Sequence, residues 1–298
     1  MKIRFGYRDM TFPSAELGVL RDSSDLLGDV PALHGRMAED GYLLLRGLID
    51  RNKVLQARRT VFEHMDAHEA LTPGEPVLEG VMPKGGPTVR MMGRKGIAHH
   101  PDVLAVLESE ELVRFFDRYF GEPSLTFNYK WLRAVGNEQY TGAHYDIVYM
   151  GDGSPNLHTV WVPFGDIPVD QGTLAMCAGS NHLPSFARLR QTYGRMDVDR
   201  DHTEGWFTRD PMEIAEKFGG HWQTCEYYAG DVILFGMYTM HASTTNLTNK
   251  YRLSCDVRFQ PASDPADKRW YGDESTGHTV HGAQPLRSIE EARVEWGV

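Results

Sequence analysis

The chain has 298 residues, a formal net charge of −10 and a pI near 5.7. That balance argues against a broad nucleic-acid-binding face, which needs clustered Lys and Arg. Three scattered cysteines (Cys177, Cys225 and Cys255, with no CxxC) argue against a disulfide framework or a cysteine zinc site. No stretch approaches ~18 consecutive apolar residues, and the first residues carry no signal-peptide core, so the expectation is a reduced, cytoplasmic protein with no membrane span.

Residues 1–30 read as an irregular lead-in. From about Ala32 to Met65 the pattern is helix, short strand, helix. The strand is the glycine-bounded Tyr42-Leu43-Leu44-Leu45, and Asp50 is placed to cap the second helix, with Val54, Ala57, Val61 and Phe62 at helical spacing. Residues 72–100 are rich in Gly and Pro and read as a long loop. No acid occurs between Glu79 and Asp102, whereas Arg90, Arg94 and Lys95 do, so this loop is expected to act as a cationic lid over an anionic ligand. An amphipathic helix then spans Asp102 to Phe120, with Leu104, Leu107, Leu112, Phe115, Phe116 and Tyr119 on one face.

The next part is strand-rich. Residues 125–133 alternate, with Leu125, Phe127, Tyr129 and Trp131 on one face. Further strands are expected at 142–149, 158–164, 173–177, 232–235 and 252–260, separated by turn signals, with an insert of short helical pieces at 184–222. The fold class is therefore mainly β with flanking helices, a jelly-roll or barrel core at about 121–260, and a C-terminal extension at 261–298, all in one domain.

Within that core stands His144-x-Asp146. On a strand, side chains two apart share a face, giving one imidazole and one carboxylate together. His241 follows the apolar run 232–235. Two histidines and a carboxylate with positions left open form the facial triad of a non-haem Fe(II) site. Arg252 opens the last strand and shares its face with Ser254, Asp256 and Arg258. If Arg252 points into the barrel, Asp256 and Arg258 line the inner pocket or its surroundings.

The run Gly41–Gly47, His144-x-Asp146, Trp161, Gly172-Thr173-Leu174, Gly179–His182, Gly230-Asp231-Val232, His241 and Arg252 together resemble the phytanoyl-CoA dioxygenase family of Fe(II)/2-oxoglutarate-dependent oxygenases. The resemblance implies a double-stranded β-helix core, with His144, Asp146 and His241 as iron ligands. It implies that Arg252 and Ser243 hold the distal carboxylate of 2-oxoglutarate, with Trp161 and Tyr129 as further cosubstrate contacts. It also implies O2 as the oxidant and an organic substrate hydroxylated with release of succinate and CO2; the basic run at 84–95 adds the expectation of a small, anionic substrate, with a CoA thioester left open. Related halogenating enzymes carry Gly or Ala at the metal carboxylate, and Asp146 here points away from them. Two alternatives stay open at this stage: a non-oxidative, cupin-like metal enzyme, and a binding protein with a dead site. The sequence does not fix the oligomeric state.

Overall fold

The computed structural model describes residues 1–85, 88–279 and 285–298. Thirteen strands lie along these residues: β1 (Lys2–Phe5), β2 (Arg8–Thr11), β3 (Leu17–Val19), β4 (Tyr42–Leu45), β5 (Val89–Arg90), β6 (Ser124–Thr126), β7 (Trp131–Val135), β8 (His158–Pro163), β9 (Leu174–Ala178), β10 (His221–Thr224), β11 (Val232–Gly236), β12 (His241–Ser243) and β13 (Arg252–Pro261). Nine α-helices accompany them: α1 (Val30–Asp40), α2 (Arg51–Ala67), α3 (Pro101–Leu107), α4 (Glu110–Phe120), α5 (Ile147–Met150), α6 (Ala187–Gln191), α7 (Val198–Asp201), α8 (Pro211–Phe218) and α9 (Ile289–Trp296).

Two sheets make the jelly roll. The larger runs β4-β11-β8-β13-β7-β5, with β6 paired to the far end of β13; the smaller runs β12-β9-β10-β3. Their pairings are antiparallel except β10 with β3. Strand alternation then sorts the core into layers. Leu43, Leu45, Leu132, Val160, Val162, Leu234, Leu253, Cys255, Val257 and Phe259 face outward onto α2, α3 and α4. Tyr42, Leu44, Trp161, Leu174, Met176, Ile233 and Phe235 face inward, between the sheets. A third cluster joins the outer face of the smaller sheet (Ala175, Cys177, Ala242) to Phe5, Phe186, Phe207 and Ile214.

The helices follow local chemistry. The Asp29 carboxylate accepts from Ala32 N at the start of α1, and the Asp50 carboxylate from Asn52 N and Lys53 N at the start of α2. Gly41 ends α1 with φ +82°, and a Cβ there would lie 2.8 Å from Thr239 Oγ1. Val54, Ala57, Val61 and Phe62 are all buried, as the spacing requires.

Four expectations are corrected. The lead-in at 1–30 contains the β1–β2 hairpin and β3; Ile3, Phe5 and Leu17 are buried, but strands of three or four residues carry too little pattern to be read. The helix at 102–120 is two helices, because Ser109 leaves helical geometry and its hydroxyl accepts from Leu112 N to start α4. The alternating run 125–133 breaks after β6, and Lys130, expected on the polar face, is fully buried with its ammonium on Glu108 and the Phe127 carbonyl. The strand expected at 142–149 is a bridge at Ala143 and His144 followed by α5.

Phe116 stacks on Phe259 at 4.4 Å between ring centres and is fully buried. Phe116→Ala is expected to destabilise the protein by about 3–5 kcal/mol, read as a fall in the urea midpoint. A second test concerns the seam between α8 and α9. Burial would raise the Glu213 pKa, but hydrogen bonds from Arg293 and Lys217 pull it down to about 2. A depressed carboxyl pKa stabilises above its unfolded value and is lost as pH falls. Between about pH 5 and pH 2 the wild type should therefore lose more stability than Glu213→Gln, measured by denaturant unfolding at each pH.

Candidate active site

His144 and His241 are direct partners across an antiparallel bridge: each backbone N–H donates to the other's carbonyl, at 3.0 and 3.1 Å. Their rings lie 4.1 Å apart. His144 Nδ1 is 2.8 Å from the Gly142 carbonyl and His241 Nδ1 is 3.0 Å from the Thr239 carbonyl. A carbonyl only accepts, so each Nδ1 carries the proton and each Nε2 presents a lone pair. Burial, then the neighbouring imidazole, holds His144 down to about 3, so the ring is neutral near pH 7.

Asp146 completes the face by a route that strand alternation does not describe. The chain turns into α5 at this residue (φ −70°, ψ −23°), and Ile147 N is fixed on the Met237 carbonyl. The turn brings Asp146 Oδ1 to 3.7 Å from His144 Nε2 and 3.6 Å from His241 Nε2. The other oxygen, Oδ2, accepts from the Thr159 hydroxyl and from Arg258 Nη2 at 3.2 Å. Burial would raise this carboxyl's pKa, yet Arg258 and the two imidazoles hold it well below the usual carboxylate range. The three side chains are buried, with one ligand atom from each within 4.8 Å of the others, and no other such group exists among the described residues. Two imidazole Nε2 atoms and one anionic oxygen, with the second oxygen already bonded, fit one divalent ion bound on one side.

Arg252 faces the space between the sheets and is 3% exposed. Nη1 donates to Ser254 Oγ at 2.5 Å, while the buried Nε has no partner. Burial, and then Arg133, lower its pKa to about 10, so it remains charged at neutral pH. Its guanidinium lies 5.6 Å from the Trp161 ring. Ser243 is buried in β12, where its Oγ accepts from Thr141 N at 2.9 Å, which leaves its own proton available. A buried guanidinium without a carboxylate is costly unless an anion joins it.

The remaining expected residues are placed as follows. Asp256 is on the inner face, with Oδ2 3.1 Å from Arg133 Nη1. Arg258 is buried, binds Asp146, lies 4.4 Å from the Trp131 ring and rests Nε on Met150 Sδ. Tyr129 packs on Trp131 and Trp270 at 4.7 and 5.1 Å. Arg90 is exposed in β5, in register with Arg133. Arg94 is used structurally, donating to the Asp273 carbonyl of the C-terminal extension, and Lys95 is exposed.

The structure adds residues that the sequence did not single out. Thr159 could have been found as the period-2 neighbour of Trp161 on β8, and Arg133 as the continuation of the Tyr129–Trp131 face. Tyr149 sets its ring edge-on to His144 at 5.6 Å, and its hydroxyl fills the space where a Cβ on Gly205 of the insert would stand. Over this side lies the C-terminal extension. Trp270 packs on Trp131 at 5.2 Å, and His278 packs on Trp270 and Tyr149 at 4.7 and 5.7 Å. Arg269 fastens it by ion pairs of 2.7–2.9 Å to Asp267, Asp197 and Asp199. Nothing in the local pattern of 261–298 signals this tertiary role.

The model of the phytanoyl-CoA dioxygenase (PhyH) family matches residues 37–254. The chain is 24% identical over 260 residues to a 1-deoxypentalenic acid 11-beta-hydroxylase of Streptomyces exfoliatus, covering 81% of this chain and 85% of that protein. In structure it is similar to the epimerase SnoN, solved with Fe3+, alpha ketoglutarate and nogalamycin RO (TM-score 0.57, 18% identity, 87% of this chain and 94% of that one). It is also similar to EctD from S. alaskensis, solved with 2-oxoglutarate and 5-hydroxyectoine (TM-score 0.55, 13% identity, 96% and 93%). The family match, the jelly-roll core and the His144–Asp146–His241 face agree: the chain belongs to the phytanoyl-CoA dioxygenase family of Fe(II)/2-oxoglutarate-dependent oxygenases.

Proposed function

We propose that this oxygenase hydroxylates a C–H bond of a small organic molecule, working as one domain in a reducing, cytoplasmic setting. The last point is supported by the three buried, unpaired cysteines; in addition, no described helix is long and apolar enough to cross a membrane. Hydroxylation is supported by the curated relatives, which are named hydroxylases. It is supported too by Asp146, whose carboxylate occupies the place that halogenating relatives leave open.

His144 Nε2, Asp146 Oδ1 and His241 Nε2 hold Fe(II). Arg252 and Ser243 take the distal carboxylate of 2-oxoglutarate, beside Trp161. Bound there, Fe(II), 2-oxoglutarate and O2 would supply the oxidant that converts C–H to C–OH, one oxygen atom going to the substrate and the other to the succinate left with CO2 from 2-oxoglutarate. The chain's own contribution is preparation. Backbone carbonyls fix both imidazole tautomers in advance. Thr159 and Arg258 hold one carboxylate oxygen, so the other is presented alone. The observation that carries the reading is Arg252, a buried charge with an unpartnered Nε and no carboxylate of its own.

The test is an anaerobic titration of apoprotein with Fe(II) and then 2-oxoglutarate. A visible charge-transfer band should appear for wild type, vanish in His144→Ala, and need a raised 2-oxoglutarate concentration in Arg252→Gln. Bound iron without a band would favour a non-oxidative metal enzyme, and no bound iron would favour a binding protein. Removing Arg258 leaves Asp146 Oδ2 with Thr159 alone, so Arg258→Met should weaken Fe(II) binding about 10–100-fold, read by the same titration.

A further inference from the structure

The inner face of the larger sheet carries more positive than negative charge. Among the described residues, Arg133, Arg252 and Arg258, with the exposed Arg90 beside Arg133 in register, stand there against Asp256 and, from the start of α5, Asp146. On the reading above, a ferrous ion and a doubly charged 2-oxoglutarate cancel each other. With the exposed Arg90 set aside, one positive charge then stays unmatched, and an uncompensated charge in a poorly solvated space is costly.

The geometry locates the open cation. Arg258 is committed to Asp146, and Arg252 is enclosed beside Trp161. Both are 3% exposed, whereas the Arg133 side chain is 29% exposed. Arg133 touches Asp256 through one nitrogen, Nη1, and a guanidinium has five N–H donors on two usable edges. Its position is central: in register it sits opposite Ser254 on one side and Arg90 on the other. Its charge reaches His144, Tyr149, Tyr129 and Arg252, lowering the proton affinity of each. Arg133 shares the inner face with Trp131, two residues earlier on β7, whose ring packs with Tyr129 and Trp270.

We propose that the substrate is a monocarboxylic acid with a compact apolar skeleton, and that Arg133 receives its carboxylate. The skeleton then lies against the aromatic cluster, within reach of His144 and Asp146. Asp256 tunes the site: its carboxylate shares Arg133 with the substrate, so it weakens anions and favours the substrate that fits best. This proposal rests on the Fe(II)/2-oxoglutarate reading and goes beyond it by assigning the substrate's charge, its anchoring group and the residue that selects it.

The experiment uses anaerobic enzyme loaded with Fe(II) and 2-oxoglutarate, and two probes of matched shape, adamantane-1-carboxylate and the neutral adamantane-1-carboxamide. Binding is read from the perturbation of the charge-transfer band. The acid should bind about tenfold or more tightly than the amide, as expected for a charged hydrogen-bonded pair. Arg133→Gln should erase that preference, Arg133→Lys should keep part of it, and Asp256→Asn should enlarge it. Equal binding of acid and amide, no perturbation by the acid, or a preference that survives Arg133→Gln would overturn the proposal. So would a loss in Arg133→Gln that falls on 2-oxoglutarate affinity, which would place Arg133 on the cosubstrate. Absence of the band in wild type is a separate failure: it would overturn the Fe(II)/2-oxoglutarate reading itself.

Discussion

Burying charge on the central strand is the constraint that organises this molecule. β13 presents Arg252, Ser254, Asp256 and Arg258 to the space between the sheets, while its alternate residues, Leu253, Cys255, Val257 and Phe259, pack under the helices. A strand in the middle of the larger sheet cannot turn such a row to solvent. Each charge must find a partner inside, because desolvation exceeds what an isolated ion gains from a protein interior. Arg258 finds Asp146 and Asp256 finds Arg133. Arg252 finds no carboxylate, and the site is built around that deficit.

The metal face is held by a different kind of bond. His144 and His241 are far apart in sequence, but their backbones bridge directly, so ring spacing depends on peptide hydrogen bonds rather than on side-chain packing. Asp146 is then delivered by the turn into α5 and oriented from β8 and β13. Two segments, residues 144–146 and His241, supply the three candidate ligand atoms, and the backbone bridge couples the two histidines directly.

Much of this was legible in the sequence, for physical reasons that differ by element. The capped, strongly periodic helices α1, α2 and α4 show themselves because propensity, capping and burial agree. The inward row of β13 shows itself because a long strand repeats its alternation enough times to be trusted. Strand geometry predicts His144 and Asp146 on one face, and they meet for another reason: the bridge ends at His144 and a helical turn brings the carboxylate round. Alternation puts Lys130 on the face opposite Tyr129 and Trp131 but does not show that this face is covered, and Glu108 buries it there. The role of the C-terminal extension lies beyond local pattern, since it comes from Asp197 and Asp199, partners remote in the chain; Arg133 continues the Tyr129–Trp131 face, but its ion pair with Asp256 does not show in the local sequence.

The contact between Tyr149 and Gly205 carries a consequence for how this scaffold can diverge. The Tyr149 hydroxyl stands in the room a side chain on residue 205 would need, while its ring is edge-on to His144. The inserted segment and His144 of the candidate metal face are thus linked in series through one aromatic ring. A methyl group at 205 would require Tyr149 to move or to be a smaller residue, so the absence of a side chain in the insert is coupled to the packing against His144.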